Sequence, residues 1–91
     1  MSHLKTHEEL QQELNEAEKL VKIGGIYAHY KTPKNLYKVI AFGTQEATNK
    51  ICVIYQAEYG KKLIFVRDVD TWLDKPVVNG KKIPRFKFVK K

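Results

Sequence analysis

The sequence has 91 residues and a net charge of +7, which allows one domain with a single small hydrophobic core. No apolar run approaches the roughly 18 residues of a membrane span, and the amino end lacks the apolar stretch of a signal peptide. A single cysteine, Cys52, and three scattered histidines exclude an internal disulfide and a zinc pattern. We therefore expect a cytoplasmic protein with no metal and no cofactor.

The first 22 residues predict an amphipathic helix. Thr6 and Glu9 fit a capping box. An apolar stripe follows at helical spacing, and it consists of Leu10, Leu14, Ala17 and Val21. Gly24-Gly25 is expected to end the helix. Residues 1–23 are thus predicted as a helical arm that packs either on its own chain or, in a weak homodimer, on the helix of a second copy.

From residue 26 onward the hydrophobic period shortens to two, which predicts strands. The expected strands are residues 26–30, 36–42, 50–59 and 62–67. A loop is predicted around Pro33, a bulge at Gly43 and a tight turn at Gly60.

The carboxyl-terminal part predicts a helical turn and a second hairpin. Trp72 and Leu73 follow Val69 at spacings of three and four, typical of one helical turn. Asn79-Gly80 predicts a hairpin turn between residues 77–78 and a strand over residues 81–88, which Pro84 confines to an edge. Taken together, the predicted helix and strands indicate a mainly β protein, α+β overall. Residues 24–91 are expected to form a five-stranded SH3-like barrel, with an oligonucleotide-binding barrel as the alternative.

The residue types do not favour catalysis. Ser2 is the sole serine, and Cys52 lies between apolar residues of a predicted strand. Asp68, Asp70 and Asp74 are typical of residues that cap a short turn. Gly-rich phosphate loops are absent from the sequence. We therefore expect a protein that is not an enzyme.

Binding chemistry is better represented. The basic charge comes from fifteen lysines and two arginines, and residues 1–22, with three lysines and five glutamates, carry −2, which leaves +9 for the rest. The two arginines lie in apolar strands, where each guanidinium needs a partner or a ligand. One interpretation is a pocket for a planar or anionic ligand, formed by Tyr27, His29, Tyr30, Arg67 and Arg85. The other is that the arginines pair with Asp68, Asp70 or Glu58 while the tyrosines lie in the core.

Five segments carry a family resemblance. They are GIYAHYK at residues 25–31, LYKV at residues 36–39, VIYQAEYG at residues 53–60, FVR at residues 65–67, and Gly80 with IPRF at residues 83–86. In this order they resemble a bacterial domain of unknown function, family sixteen fifty-three, over about residues 24–90. The resemblance implies a small, mostly β, intracellular domain with no established activity or cofactor. The residues that match the family's motif are Tyr27, His29, Tyr30, Tyr55, Arg67, Arg85 and Phe86.

Three functions remain open at this point. The first is a binding module for an anionic ligand such as nucleic acid or a nucleotide, with lysines attracting phosphate and aromatic rings stacking on bases. The second is a protein-interaction module that binds a peptide or an acidic partner through its groove or its helix. The third is a small enzyme acting on a nucleotide, with His29 as acid or base.

Overall fold

The computed structural model describes residues 5–91, which form two helices, a five-stranded antiparallel sheet and a small hairpin. In chain order the elements are α1 (His7–Leu20), β1 (Ile26–His29), β2 (Thr32–Gln45), β3 (Lys50–Ala57), β4 (Ile64–Asp68), α2 (Val69–Trp72), β5 (Val77–Val78), β6 (Lys81–Lys82) and β7 (Phe86–Lys90).

The predicted amino-terminal helix is confirmed together with its cap. The Thr6 side chain accepts a hydrogen bond from the Glu9 N–H, and the Glu9 carboxylate accepts one from the Thr6 N–H. The predicted end at the glycines is wrong, because α1 ends at Leu20. Val21 adopts an extended conformation, and its side chain is fully buried. The chain therefore leaves the helix where Val21 enters the core.

The main sheet is open. Its strand order is β4-β3-β2-β1-β7, so β4 and β7 are its two edges. The closed barrel predicted from the sequence is wrong, since no backbone pairing joins these edges within residues 5–91. Side chains occupy the space instead: Trp72, which follows β4, stacks on Phe86 at the start of β7 with 3.7 Å between ring centroids.

Two irregularities differ from the prediction. Strand β2 begins at Thr32 rather than at residue 36, and Pro33 lies where the β1–β2 register shifts. Proline tolerates this position because it needs no ladder hydrogen bond there. The bulge expected at Gly43 is found beside Ile40, while Gly43 pairs with Cys52 in the regular ladder.

The predicted last strand is divided in two. The Asn79-Gly80 turn is confirmed, with φ of 52° and 79°, and it joins β5 to β6. Strand β6 ends at Lys82, before Pro84, and β7 then pairs with β1. The break allows the chain to leave the small hairpin and complete the main sheet.

The core lies on the concave face of the sheet. Its buried members are Val21, Tyr27, Val39, Val53, Tyr55, Trp72 and Phe86. Helix α1 packs against β3 and buries Ala17, and just after the helix the Lys22 N–H donates to the Tyr27 hydroxyl at 2.9 Å. Among residues 5–91, neither helix is long and apolar enough to cross a membrane.

Candidate functional site

The register of the sheet brings a set of aromatic and basic side chains onto the concave face. Phe65 pairs with Tyr55 across β3 and β4, and Arg67 pairs with Val53 one step further along the same face. His29 pairs with Phe86 across β1 and β7. Because cross-strand partners share a face, these residues surround one space.

That space is an open cavity of about 350 Å³ on the face of the sheet that carries the core, and it shares Tyr55 and Phe86 with the core. It is lined by His29, Lys31, Thr32, Tyr37, Tyr55, Phe65, Arg67 and Phe86. All the charged groups in this lining are basic, and it includes no carboxylate.

Aromatic rings form the walls of the cavity. Phe65 stacks on Tyr55 with 5.6 Å between centroids. Tyr37 lies edge-on to Tyr55 at 5.6 Å and to Phe86 at 6.0 Å. The Tyr37 hydroxyl shares a 2.8 Å hydrogen bond with that of Tyr59. Desolvation and this hydrogen bond raise the pKa of Tyr37 to about 12, so the phenol stays protonated at neutral pH.

Arg67 supplies the fixed positive charge. Its guanidinium lies over the Phe86 ring, 5.4 Å from the centroid, in a cation–π contact. Its Nε atom, like that of Arg85, is buried without a hydrogen-bond partner, but Arg67 differs in that it takes part in no ion pair within residues 5–91. Lys31 adds a second cation to the lining.

His29 is arranged as a neutral donor. Its Nδ1 accepts a hydrogen bond from the Lys31 N–H at 3.2 Å, which leaves Nε2 to carry the proton of the neutral ring. Burial lowers the pKa of His29, and the nearby positive charges of Arg67, Arg85 and Lys31 lower it further. The cavity therefore offers hydrogen-bond donors at His29, Lys31 and Arg67.

The structure places the predicted site residues in three groups. His29, Tyr55, Arg67 and Phe86 line the cavity. Tyr27 lies in the core, edge-on to Trp72 at 5.3 Å and to Phe88 at 5.5 Å. Tyr30 and Arg85 lie outside the lining, with the Arg85 guanidinium 5.7 Å from the Tyr30 ring.

The acidic partner of Arg85 differs from those expected. Its Nη2 donates to Asp74 Oδ2 at 3.0 Å, rather than to Asp68, Asp70 or Glu58. The hydrogen bond from Arg85 also lowers the pKa of the Asp74 carboxyl. Of the two arginines, Arg85 is thus engaged in an ion pair and Arg67 is available to a ligand.

Sequence reasoning missed four residues of the lining, namely Lys31, Thr32, Tyr37 and Phe65. Tyr37 and Phe65 belong to the same face as Tyr55, but this follows only from strand pairing. Thr32 reaches the cavity because β2 begins there, in a segment predicted as a loop.

Two further kinds of site are relevant to function, a metal site and a reactive cysteine. No group of three or more His, Cys, Asp or Glu side chains in this part of the chain is placed to hold a metal ion. Cys52 is buried, and its thiol lies 3.5 Å from Asp68 Oδ1. Desolvation, together with the hydrogen bond and charge of Asp68, raises the pKa of this thiol, which disfavours the reactive thiolate.

Comparison with known proteins agrees with the motifs. No curated protein matches the sequence. The fold is similar to the crystal structure of a DUF1653 protein from Bordetella bronchiseptica, with a TM-score of 0.63, 23% identity, and coverage of 74% of this chain and 86% of that one. The model of the family described as "Protein of unknown function (DUF1653)" matches residues 25–88, which include the whole cavity lining. The chain belongs to the DUF1653 family.

Proposed function

We propose that this protein is a binding module, not an enzyme, which takes one base or nucleotide of an anionic ligand into the cavity between Tyr37, Phe65 and Arg67. The observation that carries this proposal is the composition of the lining, which combines aromatic walls with basic donors and has no carboxylate.

The aromatic walls favour a planar ligand. Base–aromatic stacking is worth about 1–3 kcal/mol per base and depends little on base identity. An aromatic cavity also suits a methylated ammonium group, but the cations of Arg67 and Lys31 in this lining would repel such a ligand. The positive charge of the cavity therefore disfavours a cationic ligand.

The donors favour a ligand edge made of acceptors. Arg67 and Lys31 can only donate, and neutral His29 donates through Nε2. Phosphate oxygens and the O6/N7 edge of guanine satisfy such donors, whereas the amino groups of adenine and cytosine do not. Lysines elsewhere on the chain add a general attraction to the phosphate backbone.

The test is binding of 5′-GMP and of short fluorescent single strands of RNA and DNA, followed by calorimetry and anisotropy at low salt. Arg67→Gln is expected to weaken binding by about ten- to a hundredfold, since hydrogen bonds to charged groups contribute about 1.5–3 kcal/mol. Lys81→Gln, on the small hairpin, removes the same charge outside the cavity and controls for the general electrostatic effect. Equal losses in both variants, or no binding of any probe at micromolar protein, would contradict the proposal.

A peptide or acidic protein partner is the second candidate, because the same open cavity is lined by Phe65 and Arg67 of β4, an edge strand of the sheet. An acidic peptide should then bind more tightly than the nucleotide probes, and this binding should also depend on Arg67.

A further inference from the structure

The outer edge of β4 is an apolar strand edge. Strand β4 lies at the end of the sheet, and within residues 5–91 only β3 pairs with it. Ile64 and Val66 are 59% and 64% exposed. Natural edge strands are commonly protected by charged side chains, prolines or bulges. The charged residues of β4, Arg67 and Asp68, lie at its carboxyl end, and neither they nor a proline or register shift protect its amino-terminal part, residues 64–66.

The backbone of this edge is also available for pairing. The Ala57 N–H donates to the Leu63 carbonyl at 2.9 Å, so Leu63 directs its carbonyl toward the inner side of the hairpin. Backbone groups alternate along an antiparallel ladder. Phe65 and Arg67 therefore direct theirs toward β3, while Ile64 and Val66 direct theirs outward.

We propose that two copies of the chain associate through antiparallel pairing of their β4 strands, with the twofold axis at Phe65. In this register Ile64 lies opposite the partner's Val66, and each such pair exchanges both N–H···O bonds. The exposed side chains of Ile64 and Val66 then cover one another on the convex face. This inference goes beyond the proposed function and does not depend on it.

Charge complementarity favours this register. Lys62 precedes β4 in a turn with φ of 55°, and Asp68 ends the strand with its carboxylate 3.7 Å from Lys50 Nζ and 3.5 Å from the Cys52 thiol. Antiparallel pairing about Phe65 brings Lys62, just outside the shared ladder, toward the partner's Asp68, whose side chain is 36% exposed and can accept a second cation. A pairing centred on Arg67 would instead oppose two guanidinium groups, which is unfavourable. The segment is therefore complementary to a second copy of itself.

The association would also extend the candidate site. Phe65 is on the concave face and lines the cavity. The axis places the partner's Phe65 beside it, because the central residues of such a pairing share a face. The aromatic walls of the two cavities would then join across the interface.

The experiment is sedimentation velocity and light scattering on the full chain. The protein concentration is raised to about 1 mM, so that a dimer with a millimolar Kd is still detected. The expected result is a concentration-dependent dimer. Val66→Lys should weaken the dimer at least about tenfold, equivalent to about 1.4 kcal/mol. Val77→Lys is the matched control, because Val77 is 63% exposed on the small hairpin, and its dimer should match the wild type.

Charge reversal tests the register. Lys62→Glu should weaken the dimer, and Lys62→Glu combined with Asp68→Lys should restore it. Circular dichroism of each variant checks that the fold is retained. A chain that stays monomeric at every concentration, or a folded Val66→Lys variant that dimerises as well as Val77→Lys, would overturn the proposal. Capture of an unrelated extended peptide by a monomeric chain would also overturn it in favour of a different occupant of the edge.

Discussion

The two ends of the concave face are built from the same strands but differ in what covers them. At one end, Val21 and Trp72 close over Tyr27, and all three are nearly inaccessible to solvent. At the other end, Tyr37, Phe65 and Arg67 surround an open cavity. Tyr55 belongs to both, since it contacts Trp72 on one side and Phe65 on the other.

An aromatic residue on this sheet therefore lies in the core or lines the cavity, depending on whether other segments of the chain cover it. Tyr27 and Tyr37 are direct partners in the β1–β2 ladder. The Tyr27 hydroxyl accepts a backbone hydrogen bond from Lys22, next to the end of α1. The Tyr37 hydroxyl instead bonds to that of the exposed Tyr59. Substitutions at the covered end should therefore act on stability, and those at the open end on binding.

The largest expected effect is at the covered end. Trp72→Ala removes the ring that stacks on Phe86 and contacts Tyr27 and Tyr55. We expect a loss of about 3–5 kcal/mol in the free energy of unfolding, measured by urea denaturation. A loss below about 1 kcal/mol would mean that this end is not the core of the protein.

The matching substitution at the open end is Phe65→Ala. Phe65 is 38% exposed, so less than about half of the Trp72→Ala loss in unfolding free energy is expected. Affinity for single-stranded RNA should fall by about 1–3 kcal/mol, the value of one stacked base. If Phe65→Ala changed stability more than binding, the distinction between the two ends would not hold.

The cap of α1 tests how firmly the covered end is held. Thr6→Ala removes the hydroxyl that accepts from the Glu9 N–H. We expect a loss of about 1 kcal/mol in unfolding free energy, with ligand affinity unchanged. Thr48→Ala provides a control threonine outside any helix; its hydroxyl accepts a longer bond, 3.3 Å from the Lys50 N–H in a turn, so its effect should be smaller.

The smallest expected effect is a pH dependence at the open end. The pKa of His29 in the folded chain lies below its ordinary 6.5, so the unfolded chain binds this proton more readily. The free energy of unfolding should therefore rise with pH between the lowered pKa and 6.5. Below both values, the full loss of stability from protonating His29 in the folded chain should be present. His29→Gln should remove this part of the dependence in urea midpoints measured across that interval. A bound anion should raise the pKa of His29, which NMR titration of the ring can measure.

Much of the fold followed from local patterns. The cap at Thr6, the helical turn at Trp72 and the Asn79-Gly80 turn depend on contacts between residues close in the chain, and all three are confirmed. The closure of the sheet was predicted wrongly, because it depends on whether β4 meets β7, which are separated by residues 69–85. The hydrophobic periodicity of the sequence contains no information on the distance between β4 and β7.

The candidate site was predicted in part for the same reason. The sequence predicts His29 as a member of an aromatic and basic pocket and Arg67 as a guanidinium within an apolar strand, and both line the cavity. Arg85 has the same local signal, but tertiary structure places it beside Asp74. Sequence spacing does not distinguish an arginine with a carboxylate neighbour from one without.

The helix with its cap, the antiparallel strands, the basic charge and the family can all be predicted from the amino-acid sequence, because each depends on residue type or on short-range order. Tertiary structure alone decided that the sheet stays open, that Tyr27 is covered while Tyr37 is accessible, and that Arg67 has no acidic partner within residues 5–91. These properties depend on which distant segments meet over the concave face, and only the packed chain specifies that.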